Sequence, residues 1–413
     1  MEKTPPFLLF LTFLCAFSPA SSQPFLGVNY GEVADNLPPP SATARLLQST
    51  TITKLRLYDA DASVISAFSG TGISLLLGVH NADIFSLASS PNAAASWVSA
   101  NLLPFLPATS VSAVSVGNEV LNSGDPSLSS ALLPAMQSLR AALDASAVTA
   151  GVKVSTVHSM AVLSQSDPPS AGAFHADLAG ILEPILQFLR DNGSPFMINP
   201  YPYFAFRSDP RPETLAFCLF QPGPSRVDPA SGIPYSNMFD AQVDAIKTAL
   251  RSSGFPGQEV VVAETGWPYK GDNNEVGASV ENAKAYNGNL MAHLGSITDP
   301  VETYIFAMYD EDLKPGPTSE RSFGLFQPDL TPTYDIGLLN SGSQTAVSSS
   351  PAVPAEMSKP TDQCAAGDGG SPCSRPLVEY LPSASARSSA GVRRWLSWKG
   401  VTGMLALGSI FVW

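Results

Sequence analysis

The sequence is poor in charge, and in cations above all. Lys and Arg number 22 against 35 Asp and Glu in 413 residues, for a formal net charge of −13. No basic stripe is available to neutralise phosphates, so nucleic acid is not an expected partner; a neutral polymer meets no such objection. Cysteine is scarce at four residues. Nothing in the chain is spaced like a metal site, and neither a metal nor another cofactor is expected. A Gly-rich phosphate turn is also missing after the first β-like run, where Gly27-Val28-Asn29-Tyr30-Gly31 stands instead. That argues against an open doubly wound sheet built to hold a dinucleotide. What is present is 44% hydrophobic residues, enough to bury the core of one large domain followed by a tail.

The two ends differ from the middle. Lys3, an apolar run from Phe7 to Phe17 and the small residues Ala20 to Ser22 have the layout of a secretory signal over 1–22. Pro5, Pro6 and Pro19 speak against a buried helix there. At the other end Ser388, Ser389 and Ala390 precede a spacer with Arg393, Arg394 and Lys399, then an apolar stretch from Gly400 to Trp413. That order matches a signal for a glycosylphosphatidylinositol anchor, with 389–413 removed on maturation. The expected location is the outer face of the plasma membrane, towards the wall or apoplast. Loss of the signal would take Cys15 with it. The spacing of Cys364 and Cys373 then allows a small disulfide loop, while Cys218 is either a buried apolar residue or an odd thiol.

From Pro24 to about Leu339 short β-rich apolar runs alternate with helix-length segments, and beyond that Ser, Pro and Ala dominate. The reading is a catalytic domain over 23–340 and a disordered linker over 341–388. The β-like runs are Phe25 to Tyr30, Lys54 to Tyr58, Ile73 to Val79, Ala113 to Gly117, Lys153 to Val157, Phe196 to Asn199, Glu259 to Ala263 and Thr303 to Ala307. Between them Pro91 to Leu103, Leu178 to Leu189 and Asp240 to Leu250 carry apolar residues at helical spacing. Eight such runs predict an α/β fold, a (β/α)8 TIM barrel, whose chemistry would lie at the C-terminal strand ends.

Two of those ends carry a carboxylate. The fourth run closes Gly117-Asn118-Glu119 and the seventh closes Ala263-Glu264-Thr265-Gly266-Trp267. Cleavage of a glycosidic bond uses two carboxyl groups flanking it, about 5–5.5 Å apart when the anomeric configuration is retained. On this reading Glu119 is the general acid/base and Glu264 the nucleophile, with Asn118 placed to orient the acid and bind a sugar hydroxyl. Aromatics at the strand ends, among them Tyr30, Tyr58, Tyr201, Tyr203, Phe206 and Trp267, offer faces against which a sugar ring stacks. Packing is an equal claim for any one of them. Tyr201 stands apart, since a phenol beside the nucleophile can donate a hydrogen bond to it. His158 is expected to be a packed or surface histidine.

Three motifs, Gly27-Val28-Asn29-Tyr30-Gly31, Ile198-Asn199-Pro200-Tyr201-Pro202-Tyr203-Phe204 and Glu264-Thr265-Gly266-Trp267-Pro268, resemble the plant glucan endo-1,3-beta-glucosidases of glycoside hydrolase family 17. So does the stretch from Phe306 through Glu311 and Lys314 to Glu320 and Phe326. The resemblance runs over nearly all of 24–339. It implies a retaining barrel enzyme acting inside beta-1,3-glucan chains, with Glu119 as acid/base and Glu264 as nucleophile. Asn199, Glu311, Lys314 and Glu320 join the site on the same ground, the last three as a salt-bridged network shaping the loop after strand eight. A monomer is expected. Alternatives are a glucan-binding wall protein without activity, against which both carboxylates are retained, and a transglycosylase, in which an acceptor sugar replaces water. Asn192-Gly193-Ser194 is one glycosylation sequon, followed by Pro195.

Overall fold

A computed structural model describes residues 26–340. The expected signal (1–22), linker (341–388) and anchor segment (389–413), and the Cys364–Cys373 loop, lie outside the described residues. Eight strands form the centre: β1 Leu26–Tyr30, β2 Lys54–Leu57, β3 Ser74–Val79, β4 Ser110–Asn118, β5 Lys153–Ser159, β6 Phe196–Asn199, β7 Val260–Thr265 and β8 Glu302–Ile305. Each pairs in parallel with its sequence neighbours, and β1 closes the barrel against β8. The barrel is the (β/α)8 architecture expected of the alternating pattern.

The strands are legible because they are buried on both faces and therefore read as continuous apolar runs. Leu76, Ala113, Val157, Met197, Val261, Ala263 and Tyr304 fill the barrel. Residues of the opposite parity, such as Val28, Leu55, Leu77, Val114, Ile198 and Val262, pack outward against the helices. Helix starts follow local chemistry: the carboxylates of Asp61 and Asp125 each accept the N–H groups two and three residues on, at 2.7 to 3.1 Å, and Asn237 and Ser279 cap Met238–Ser252 and Val280–Ser296. Among the described residues, the strand β8 is followed not by a long helix but by a loop with one 3-10 turn, Thr318–Arg321. That loop lies at the mouth of the barrel. Leu339 bridges Thr50 at the opposite end, just before β2.

Candidate active site

Both candidate carboxylates sit where a strand loses regularity. The β4–β5 register shifts between Ser115 and Asn118, and the β7–β8 register shifts between Val262 and Thr265. Such bulges re-aim side chains at a strand end. At β7 the parity that turns Ala263 into the barrel would aim the next residue outward. The bulge instead leaves Glu264 within reach of Arg56, Tyr58 and Tyr201 at the mouth. At β4 the change is carried by Gly117 at φ +71° and by Glu119 itself at φ +53°, a left-handed conformation that costs a non-glycine residue about 1–3 kcal/mol and persists only where the surroundings impose it.

Glu264 is enclosed by donors. Its Oε1 accepts from Arg56 Nη1 and from the Tyr58 hydroxyl, both at 2.8 Å, and its Oε2 accepts from the Tyr201 hydroxyl at 2.9 Å. Burial and the Glu264 charge push both phenols well above their ordinary range, so they remain donors. Arg56 is 1% exposed and divides its guanidinium between Glu264, the Ala263 carbonyl (3.0 Å) and Asn118 Oδ1 (2.8 Å). Asn29 Nδ2 also donates to the Ala263 carbonyl, at 2.9 Å, so the peptide preceding Glu264 is held from two strands.

Glu119 has a sparser setting. Its Oε1 accepts from Asn199 Nδ2 at 2.7 Å, and its backbone N–H donates to Val157 O at 2.8 Å. Burial and repulsion from Glu264 raise its carboxyl to about 7, which places it where it can give up and regain a proton near neutrality.

The loop after β8 carries Glu311, Lys314 and Glu320, of which the first two form an ion pair. Lys314 Nζ lies 2.6 Å from Glu311 Oε2 and 4.4 Å from the centre of the Phe306 ring. Burial raises the Glu320 carboxyl, with Lys314 opposing. Gly31 lies against Glu311, and a Cβ there would meet its carboxylate at 2.1 Å, so any larger residue would displace the Glu311 side chain. Glu275 ties neighbouring loops together, accepting from the backbone N–H groups of Asp272 (2.9 Å) and Ser319 (3.0 Å) and lying 3.5 Å from Arg207.

Four residues expected to meet substrate lie elsewhere. Tyr30 points out of the barrel, edge-on to Tyr309 at 5.9 Å in the layer between strands and helices. Trp267 is 0% exposed, with its indole N–H on Gly277 O at 2.8 Å and its ring against Tyr203 and Phe206. Tyr203 and Phe206 are likewise buried. These three rings have no open face for a sugar and form the floor behind the site. Tyr201 instead joins Tyr58, Phe306 and Phe323 in a small aromatic cluster beside Glu264. His158 is buried against Phe196 on the outer side, and burial lowers it to about 4. Cys218 is buried, its thiol directed at Pro202 O, and the Asn192 amide donates to Phe188 O.

Arg56 was not among the expected site residues, although a cation between Leu55 and Leu57 was the available signal. Nor was Glu32, whose carboxyl rises to about 8 through burial and repulsion from Asp59 and Asp61.

The family described as Glycosyl hydrolases family 17 matches residues 26–338. Glucan endo-1,3-beta-glucosidase 7 of Arabidopsis thaliana is 59% identical over 342 residues, covering 81% of this chain and 68% of that protein. Glucan endo-1,3-beta-D-glucosidase of Olea europaea is 54% identical, covering 83% and 77%. Among solved structures, CJP38, a beta-1,3-glucanase and allergen of Cryptomeria japonica pollen, superposes with a TM-score of 0.71 at 39% identity, covering 76% of this chain and 99% of that one.

Proposed function

The chain belongs to glycosyl hydrolases family 17, and on that premise we propose that it cleaves beta-1,3-glucan internally with retention, Glu264 acting as nucleophile and Glu119 as acid/base. The observation that carries the role assignment is the unlike setting of the two carboxyls. Glu264 faces three donors, an arrangement suited to a carboxylate that attacks. Glu119, with one donor and a carboxyl near 7, suits a group that cycles a proton.

In the first step Glu119 donates its proton to the glycosidic oxygen, the C1–O bond breaks and a Glu264 oxygen bonds to C1. Water then loses a proton to Glu119 while its oxygen displaces Glu264. Tyr58, Tyr201 and Arg56 fix the attacking carboxylate by hydrogen bonds to both of its oxygens, and Asn118, held to Arg56 through its Oδ1, is our candidate to bind the sugar hydroxyl next to C1. Lys314 and Glu311 form the wall after β8, and Asn199 holds Glu119. The test is incubation of the 23–340 fragment with linear beta-1,3-glucan, following reducing ends and product sizes. Shortened oligosaccharides are expected. Binding without products would leave a glucan-binding protein, and chains longer than the starting material would make it a transglycosylase.

We further propose a cell-surface location through a glycosylphosphatidylinositol anchor, supported by the Ser388-Ser389-Ala390 step, the basic spacer and the apolar Gly400 to Trp413 stretch. Truncation before Ser388 is expected to release active protein into the medium; a truncated form still on membranes would overturn this.

A further inference from the structure

Backbone pairing between β3 and β4 stops at Val79 and Val116, two residues before Asn118 and three before Glu119. Beyond that point a side chain takes over. Asn81, the first residue of the 3-10 turn Asn81–Asp83 that follows β3, uses its amide on both backbone groups of Asn118: its Oδ1 accepts the Asn118 N–H at 2.8 Å and its Nδ2 donates to the Asn118 carbonyl at 3.0 Å. The same Oδ1 presses on Gly117, where a Cβ would meet it at 2.9 Å with Val120 and Ile84 closing the other sides. The residue after Asn118 is Glu119 in its left-handed conformation, tied on the opposite side to Val157 O.

We propose that Asn81 is a positioning residue for the acid/base: its amide stands in for the missing β3 rung and holds the Asn118–Glu119 peptide in the conformation that aims the Glu119 carboxyl at Asn199 and the scissile bond. A left-handed glutamate relaxes to negative φ unless its neighbours prevent it, and relaxation swings the Cα–Cβ bond through a large angle. Asn118 transmits the hold in the other direction as well, because its Oδ1 accepts from Arg56, the partner of Glu264. Asn81 thus lies outside the reacting atoms yet acts on both carboxyls, and on the acid/base more directly. Glu264 keeps its three donors without it.

The inference rests on Glu119 being the general acid, and the test separates the two. Protonation of the departing oxygen matters for a glucan, whose leaving alkoxide is a strong base, and hardly at all for a dinitrophenyl glycoside, whose leaving phenolate is a weak one. The measurement is kcat/KM for linear beta-1,3-glucan and for a dinitrophenyl beta-laminaribioside with the wild type, Asn81→Ala, Asn81→Asp and Glu119→Gln. For Asn81→Ala the expected result is a loss of roughly 10- to 100-fold on glucan with the aryl glycoside within about threefold of wild type. Asn81→Asp keeps the acceptor for the Asn118 N–H but turns an oxygen towards the Asn118 carbonyl, and serves if the alanine variant does not fold; it should show the same selective loss. Equal losses on both substrates, the mark of a purely structural role, or no loss on either would overturn the inference. If Glu119→Gln itself shows no selectivity, the acid assignment fails. If it does and the Asn81 variants do not, only the positioning role fails.

Discussion

The ends of β4 and β7 each present one glutamate to the same cleft, yet the protein treats them in opposite ways. Around Glu264 three side-chain donors converge from β2 and the β6 loop, and even the preceding carbonyl is held by Asn29 and Arg56. Around Glu119 a single amide donates, burial disfavours the charge, and the neighbouring Glu264 repels it. The division of labour between two chemically identical groups therefore lies in the donors each is given. The anion is built into one site, and a proton is held in the other.

The largest effect is expected on removing the supported carboxylate. Glu264→Ala should lower turnover on glucan by roughly 10⁵-fold or more, with partial recovery on adding azide, which enters the vacated space and attacks C1; absence of any recovery would speak against Glu264 as nucleophile. Next comes the support itself. Arg56→Met leaves Glu264 without its cation and should cost about 3–5 kcal/mol of stability in denaturant titration, with kcat falling by roughly 10²-fold or more on glucan. An active variant of unchanged stability would show that the guanidinium is dispensable.

The proton-holding half can be sharpened by pH. With Glu119 raised to about 7, glycosylation should fall as pH rises through 7, because the acid form is lost. The same shift means that the fold favours the protonated carboxyl. Its stabilising contribution is present below the ordinary value of 4.5 and is lost as pH rises towards 7 and beyond, so Glu119→Gln should gain stability relative to wild type at pH 8 in parallel melts. Glu264→Gln removes the repelling charge, and the Glu119 carboxyl followed by NMR should then titrate at lower pH. A carboxyl that stays put would mean that burial alone sets it.

The smallest effect on chemistry is expected at the aromatic floor. Trp267→Phe should cost about 1–3 kcal/mol of stability through lost packing and the lost bond to Gly277 O while leaving the KM for glucan within about twofold, since a ring with no exposed face contributes nothing to sugar stacking. A large rise in KM with unchanged melting would return Trp267 to the list of substrate contacts.

Much of this was open to reading from the chain. The eight strands could be read because parallel strands buried on both faces must be apolar throughout, and the two glutamates because a carboxylate directly after such a run is conspicuous. Tyr201 could be read from its place at the end of β6. Trp267 and Tyr203 could not, because an aromatic residue after a strand looks the same whether its face is open or covered. Tyr30 misled for a related reason: it ends a strand, but its parity turns it towards the helices. Arg56 carried a signal, a charge among leucines, whereas Asn81 carried none, being one polar residue in a short turn after a strand.

Local sequence therefore determined the elements and their order, since periodicity, caps and burial are properties of neighbours along the chain. It also placed the two carboxylates at strand ends. Only the closed barrel decided that Arg56, Tyr58 and Tyr201 meet around Glu264, with Asn118 on the far side of Arg56, and that Glu119 is left with Asn199 and the repulsion of its partner. Those contacts join residues 62 to 208 positions apart, and two register shifts aim them. A residue's pKa and hydrogen-bond partners are set by what lies within a few ångströms of it in space, and that is fixed only when the barrel closes.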